Sequence, residues 1–130
     1  MTEPDLARRY RAYLDCLNRQ DWDRLGEFVG EHVRHNGRPL GLGGYRAMLE
    51  EDFTAIPDLR FVAERLVCEP PHVAARLWFD CAPAGRFLDL PIDGRRIAFA
   101  EHVFYRFEAG RIVEVRSVLD KAAIEAQLAG

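Results

Sequence analysis

Residues 95–120 read RRIAFAEHVFYRFEAGRIVEVRSVLD, and this stretch decides the fold. Apolar and polar residues alternate on both sides of Glu108-Ala109-Gly110, so the segment reads as two long strands joined by a three-residue loop, with Gly110 supplying the positive φ. Antiparallel partners keep a constant sum of positions, so a Phe107–Arg111 pair predicts Tyr105 opposite Val113, Val103 opposite Val115 and Glu101 opposite Ser117. One face then carries Phe99, Glu101, Val103, Tyr105, Val113, Val115, Ser117 and Leu119. The other carries Ala100, His102, Phe104, Arg106, Glu114, Arg116 and Val118, which suits solvent or a subunit contact. A lone carboxylate, Glu101, is thus set into an apolar face.

Outward from the hairpin, two periodicities divide the chain. Toward the N-terminus the period is helical. Thr2 and Asp5 form a capping pair with Pro4 in the first turn, and Leu6, Tyr10, Tyr13, Leu14 and Leu17 share one face of a helix ending near Arg19. Asp21 is expected to cap a second, short helix burying Trp22, Leu25, Phe28 and Val29, closed by Gly30. Glu31 to Asn36 is short and extended, with Val33 and His35 on one side. Gly37 to Gly44 reads as a loop, mobile over Gly41 to Gly44, before a third helix marked by Tyr45, Met48, Leu49, Asp52, Phe53 and Ile56 and ended by Pro57.

From Leu59 the period is two. Leu59 to Glu69 is one strand, Pro70-Pro71 breaks it, and Val73, Ala75, Leu77, Phe79 and Cys81 alternate with polar neighbours in the next. A glycine-bearing excursion, Ala84 to Arg95, leads into the hairpin, and Asp120 caps a last short helix. Helices followed by four long antiparallel strands predict an α+β domain spanning residues 1–130. Its curved antiparallel sheet, with the N-terminal helices across one side, encloses a cone-shaped pocket.

Composition narrows the function. In 130 residues, 48% are hydrophobic and the formal charge is −3, with no basic cluster, which disfavours a nucleic-acid partner. Cys16, Cys68 and Cys81 are isolated, without CxxC or His/Cys ligand spacing, an argument against a zinc site and for a reducing, cytoplasmic setting. No run approaches the ~20 apolar residues of a membrane span, and the start, Thr2-Glu3-Pro4-Asp5, is unlike a secretory leader, so a soluble, unprocessed chain is expected.

Asp21-Trp22-Asp23, Val33-Arg34-His35-Asn36, the run from Gly85 to Arg96 (GRFLDLPIDGRR) and the run from Phe104 to Glu114 (FYRFEAGRIVE) together resemble the SnoaL-like polyketide (ester) cyclases of the nuclear transport factor 2-like superfamily. The resemblance covers nearly the whole chain in the right order. It implies a conical α+β barrel with a small-molecule pocket, no metal or organic cofactor, and frequently a homodimer through the outer sheet face. It also implies a general acid/base in the last strand, an aspartate in the family's cyclases, at the position held here by Ser117. A serine hydroxyl does not replace a carboxylate near neutral pH.

The chemical candidates follow. Glu101, if desolvated, is a general acid or base for a carbonyl substrate; alternatively Arg76, Arg95 or a helix N-terminus satisfies it. His35, beside a loop, is its partner or a histidine bonded to backbone. Ser117 and Tyr105 are hydrogen-bond donors to a developing enolate oxygen or locally satisfied lining residues. Tyr13, Phe53, Trp78, Val103 and Met48 are the expected pocket walls or core. The functional expectation is a cofactor-free enzyme acting on a carbonyl-containing small molecule. The alternatives are a non-catalytic binding module of the same fold and a structural dimer built on the outer face.

Overall fold

The computed structural model describes residues 1–130. Helix α1, Glu3–Asn18, starts with a reciprocal capping box in which Asp5 N–H donates to Thr2 Oγ1 at 3.2 Å and Thr2 N–H to Asp5 Oδ2 at 3.3 Å. Its buried stripe is Leu6, Tyr10, Tyr13, Leu14, Cys16 and Leu17. Residues Trp22–Glu27 form a 3-10 turn, and Asp21 gives it no side-chain cap, contrary to the expected short helix. Val29 and Gly30 belong instead to strand β1, Val29–His35, because Ile112 N–H donates to Phe28 O at 2.7 Å and draws the chain into the sheet. A side chain at Gly30 would lie 3.3 Å from Ile112 O, so glycine permits that approach.

Helix α2 spans Gly41–Ala55, so Gly41 to Gly44 form its first turn rather than a mobile loop. The reversal before it is tight. His35 and Arg38 exchange backbone hydrogen bonds at 2.9 and 3.0 Å around Asn36 and Gly37, which have φ of 48° and 80°, as this turn requires.

Strands β2 (Val62–Glu69), β3 (His72–Cys81), β6 (Ile97–Glu108) and β7 (Arg111–Leu119) run antiparallel, and β1 joins β7 in parallel, giving the order β1-β7-β6-β3-β2. The sheet is therefore mixed and stays open, with β1 and β2 as its edges. β2 starts later than Leu59 because Asn18 clamps Phe61, accepting from its N–H at 2.7 Å and donating to its carbonyl at 2.9 Å. The excursion holds two-residue strands β4 (Arg86–Phe87) and β5 (Leu90–Pro91), anchored by fully buried Ile92. Asp120 caps α3, Lys121–Ala129, through Ala123 N–H at 3.1 Å.

The hairpin register differs from expectation. The chain reverses through Ala109-Gly110 alone, with φ of 49° and 79°, and Val113 is an extra residue on β7, because Arg106 faces Glu114 while Phe107 faces Ile112. Glu101 consequently faces Leu119, and Ser117 faces Val103. The bulge also turns Ile112 into the core in place of Val113. Beyond it the net shift is two residues, so Val115, Ser117 and Leu119 keep the predicted face.

One apolar core joins the concave face to the helices. It includes Leu6, Tyr10 and Leu17 of α1, Tyr45 and Leu49 of α2, Leu77 and Phe79 of β3, and Phe99 and Val103 of β6. Fully burying a side chain such as Leu77 contributes ~1.5–3 kcal/mol, and Leu77→Ala would remove about 2–5 kcal/mol with its cavity.

Candidate active site

Period-two alternation along β6 turns Phe99, Glu101, Val103 and Tyr105 toward the helices. Glu101 is bracketed by Phe99 and Val103 on its own strand, by Leu77 on β3 and by Leu119 on β7. No arginine reaches it: Arg76 lies on the opposite face with Glu64 at 3.0 Å and His102 at 2.6 Å, and Arg95 is bonded toward Gln127. Burial pushes the Glu101 carboxyl from 4.5 up to about 7, offset in part by the Ser117 hydroxyl, its diagonal neighbour, and helped by the charge of Asp52.

Asp52 comes from α2. Tyr45, Met48, Leu49 and Asp52 recur at spacings of three and four, so one helical face delivers them to the concave side, and Ile56, the extended residue that caps the helix, follows. Burial raises Asp52 from 3.8 to about 6, and the adjacent Glu51 adds to it.

The space between helices and sheet has two chambers. The larger, about 230 Å³, is lined by Tyr13, His35, Asn36, Tyr45, Met48, Leu49, Val103, Tyr105, Val115 and Ser117. The smaller, about 70 Å³, is lined by Ile56, Leu59, Phe79, Phe87 and Phe99. Asp52, Phe61, Glu101 and Leu119 line both and form the waist between them. Neither chamber presents an arginine or lysine.

All four tyrosines of the chain gather at the larger chamber. Tyr13 and Tyr45 hydroxyls lie 2.7 Å apart, and Tyr10, behind the wall, donates to Tyr105 at 3.2 Å. Each pair uses one of its two phenolic protons internally, which leaves one donor per pair for a guest. Burial holds all four phenols above their ordinary value, so they are neutral donors.

His35 ends β1 with its ring edge-on to Tyr45, centroids 6.2 Å apart. Its Nδ1 is buried without a partner, and burial, with Arg38 nearby, lowers its pKa below 6.5, leaving a neutral imidazole at pH 7. Asn36 continues the β1–β7 ladder with its side chain, accepting from Ser117 N–H at 2.8 Å and donating to Ser117 O at 3.3 Å. Ser117 is thereby held at the rim.

Seven of the nine expected residues, Glu101, His35, Ser117, Tyr105, Tyr13, Val103 and Met48, line this one cavity. Trp78 does not. It is 37% exposed on the convex face, where strand alternation puts it beside Arg76, so the expectation of a wall residue is corrected. Phe53 is corrected too: it packs edge-on against Trp22 at 5.8 Å and touches Phe61 at 5.9 Å, and Phe61 takes the wall position. Asp52, Tyr45, Asn36 and Phe61 were missed as site residues. The available signals were a carboxylate on an apolar helical face and the Asn36-Gly37 turn pair. No group of three His, Cys, Asp or Glu side chains is arranged to hold a metal ion.

The profile of the SnoaL-like polyketide cyclases matches residues 7–128. The chain belongs to this family. A SnoaL-like polyketide cyclase from Agrobacterium tumefaciens strain C58 is 58% identical and superposes with a TM-score of 0.95, over 98% of this chain and 99% of that one. TsrD from Streptomyces laurentii is 22% identical with a TM-score of 0.84, over 98% and 97% of the chains, and IdmH from Streptomyces antibioticus is 20% identical with 0.82, over 96% and 99%. These two show the same fold. No curated protein matches the chain significantly. Within this SnoaL-like chain the strand position that the resemblance assigns to an acid/base aspartate carries Ser117. The cavity's carboxylates stand instead at Glu101, one strand over, and at Asp52 across the waist.

Proposed function

We propose that the protein is a cofactor-independent enzyme, a polyketide or ester cyclase or a close relative, that performs acid/base chemistry on a carbonyl-containing small molecule. The observation carrying this reading is the placing of Glu101 at the waist of a cavity that presents no cation, beside Asp52 and the hydroxyls of Tyr105 and Ser117, where burial raises its carboxyl to about 7. A base of that pKa is matched to proton transfer near neutral pH. Glu101 takes the proton from the carbon beside the carbonyl, and the enolate oxygen is held by the free phenolic proton of Tyr105 or by Ser117. In a ring closure the enolate carbon bonds to a second carbonyl carbon, and the new alkoxide receives the proton from Glu101. His35, being neutral, orients a substrate oxygen rather than supplying charge.

Solvent deuterium exchange beside the carbonyl of trial ketones, followed by proton NMR, tests this. The intact protein should accelerate exchange and Glu101→Gln should lose at least a hundredfold of it; full retention in the variant would remove Glu101 from the mechanism. Ser117 at the aspartate position favours a second reading, a binding module, under which ketones bind but no exchange is accelerated.

We further propose that residues 1–130 act as one domain, that two copies pair through the convex sheet face, and that the protein works in the cytoplasm. Support for pairing is the exposed apolar set Phe104 (63%), Val118 (70%) and Val67 (57%), interleaved with Arg76, His102 and Arg106. Support for the compartment is the three free cysteines. No helix is long and apolar enough to cross a membrane.

A further inference from the structure

The two chambers differ in size and chemistry, and their waist carries both carboxylates. In the larger, Tyr105, Tyr13, Tyr45 and Ser117 provide hydroxyls and His35 provides an unpartnered buried nitrogen. The smaller is walled by Phe79, Phe87, Phe99, Ile56 and Leu59, with no polar group except at the waist. An apolar cavity of ~150 Å³ accepts one benzene ring. By that measure the chamber of about 230 Å³ takes a single ring with its oxygen, while that of about 70 Å³ takes only a short alkyl group. An anionic guest finds no cation on any wall and meets Asp52 and Glu101 at the waist.

We propose that the substrate is a neutral, monocyclic ketone or ester carrying a short alkyl branch of about two to four carbons on the carbon beside its carbonyl. The ring and oxygen lie among the tyrosines, the branch lies among the phenylalanines, and the carbon between them stops at the waist. The proposal rests on the reading of Glu101 as the base, since that reading makes the waist the reaction centre; with no second carbonyl in such a substrate, the chemistry it assigns there is proton transfer at the carbon beside the carbonyl, not ring closure. A fused polycyclic skeleton overfills the larger chamber and would have to project from its mouth.

The test uses 2-propylcyclohexanone as probe with the full chain. The expected result is nuclear Overhauser contact between the propyl methyl and the rings of Phe79 or Phe87, with binding at least tenfold tighter than for 2-hexylcyclohexanone, anthrone or 2-propylcyclohexanecarboxylate at pH 8. Leu59→Phe, which fills the small chamber, should abolish the preference for propyl over methyl. Equal binding of anthrone, methyl contacts confined to Tyr13 and Tyr45, or no ketone binding in the millimolar range would each overturn it, and the contacts are read on the unaltered chain whether or not Leu59→Phe folds. Binding in the expected pose without any deuterium exchange at C2 would leave the substrate geometry standing and remove the catalytic reading instead.

Discussion

Asp52 on α2 and Glu101 on β6 face the same waist of the cavity, two carboxylates without a cation between them. Asp52 ionises first, at about 6, so it is already charged when Glu101 titrates at about 7 and holds that proton in place. Asp52→Asn removes the like charge. The Glu101 carboxyl, followed by carbon-13 NMR, should then titrate lower than in the unaltered protein but still above 4.5, because Phe99, Leu77, Val103 and Leu119 continue to desolvate it. An unchanged titration would show that the two groups do not interact.

Stability should fall as pH rises through the same range. Both carboxyls bind protons more tightly in the folded chain than in the unfolded one, from 4.5 to about 7 for Glu101 and from 3.8 to about 6 for Asp52. Their contribution is therefore full below about pH 4 and lost by about pH 7. Glu101→Gln should raise the unfolding free energy at pH 8 by about 1–3 kcal/mol and leave it nearly unchanged at pH 4, measured by urea denaturation. Equal effects at both pH values would contradict the burial of a charge.

Asn36 joins the end of β1 to Ser117 through two side-chain bonds while holding φ at 48°. Asn36→Gly loses the bonds but keeps the backbone freedom, and Asn36→Ala loses both. Thermal melts should rank them native, then Gly, then Ala, with Ala about 1–3 kcal/mol below native. An Ala variant as stable as Gly would mean that the turn carries no strain.

Phe104, 63% exposed at the centre of the convex face, adds little to the fold of a single copy. Phe104→Glu should therefore halve the mass seen by light scattering with a change in unfolding free energy below about 0.5 kcal/mol at matched monomer state. A native protein already monomeric at tens of micromolar would dispose of the proposed pairing.

Much of the cavity was legible because strand alternation has a period of two. The predicted loop was one residue too long and the bulge at Val113 went unseen, yet the two errors together moved β7 by two residues, and Ser117 kept its face. Val113 itself shows the limit, since within the bulge the alternation fails and Ile112 enters the core instead. Trp78 was misplaced for a simpler reason: its neighbours Leu77 and Phe79 alternate inward, so its own parity pointed outward and only its size suggested a wall. Asp52 was visible on an apolar helical face, but its meaning depends on a partner 49 positions away in sequence.

Local chemistry thus determined the elements. The capping box at Thr2, the face of α1, the alternation of β3 and β6 and the cap at Asp120 are all interactions within a few residues, which a linear chain records directly. Tertiary structure alone decided that β1 adds in parallel beside β7, that Asn18 stops Phe61 at the waist, and that four tyrosines scattered from position 10 to 105 converge on one chamber. Each of these depends on distances between segments far apart along the chain. Periodicity carries no information about such distances, whereas packing α1 and α2 onto a curved sheet sets them.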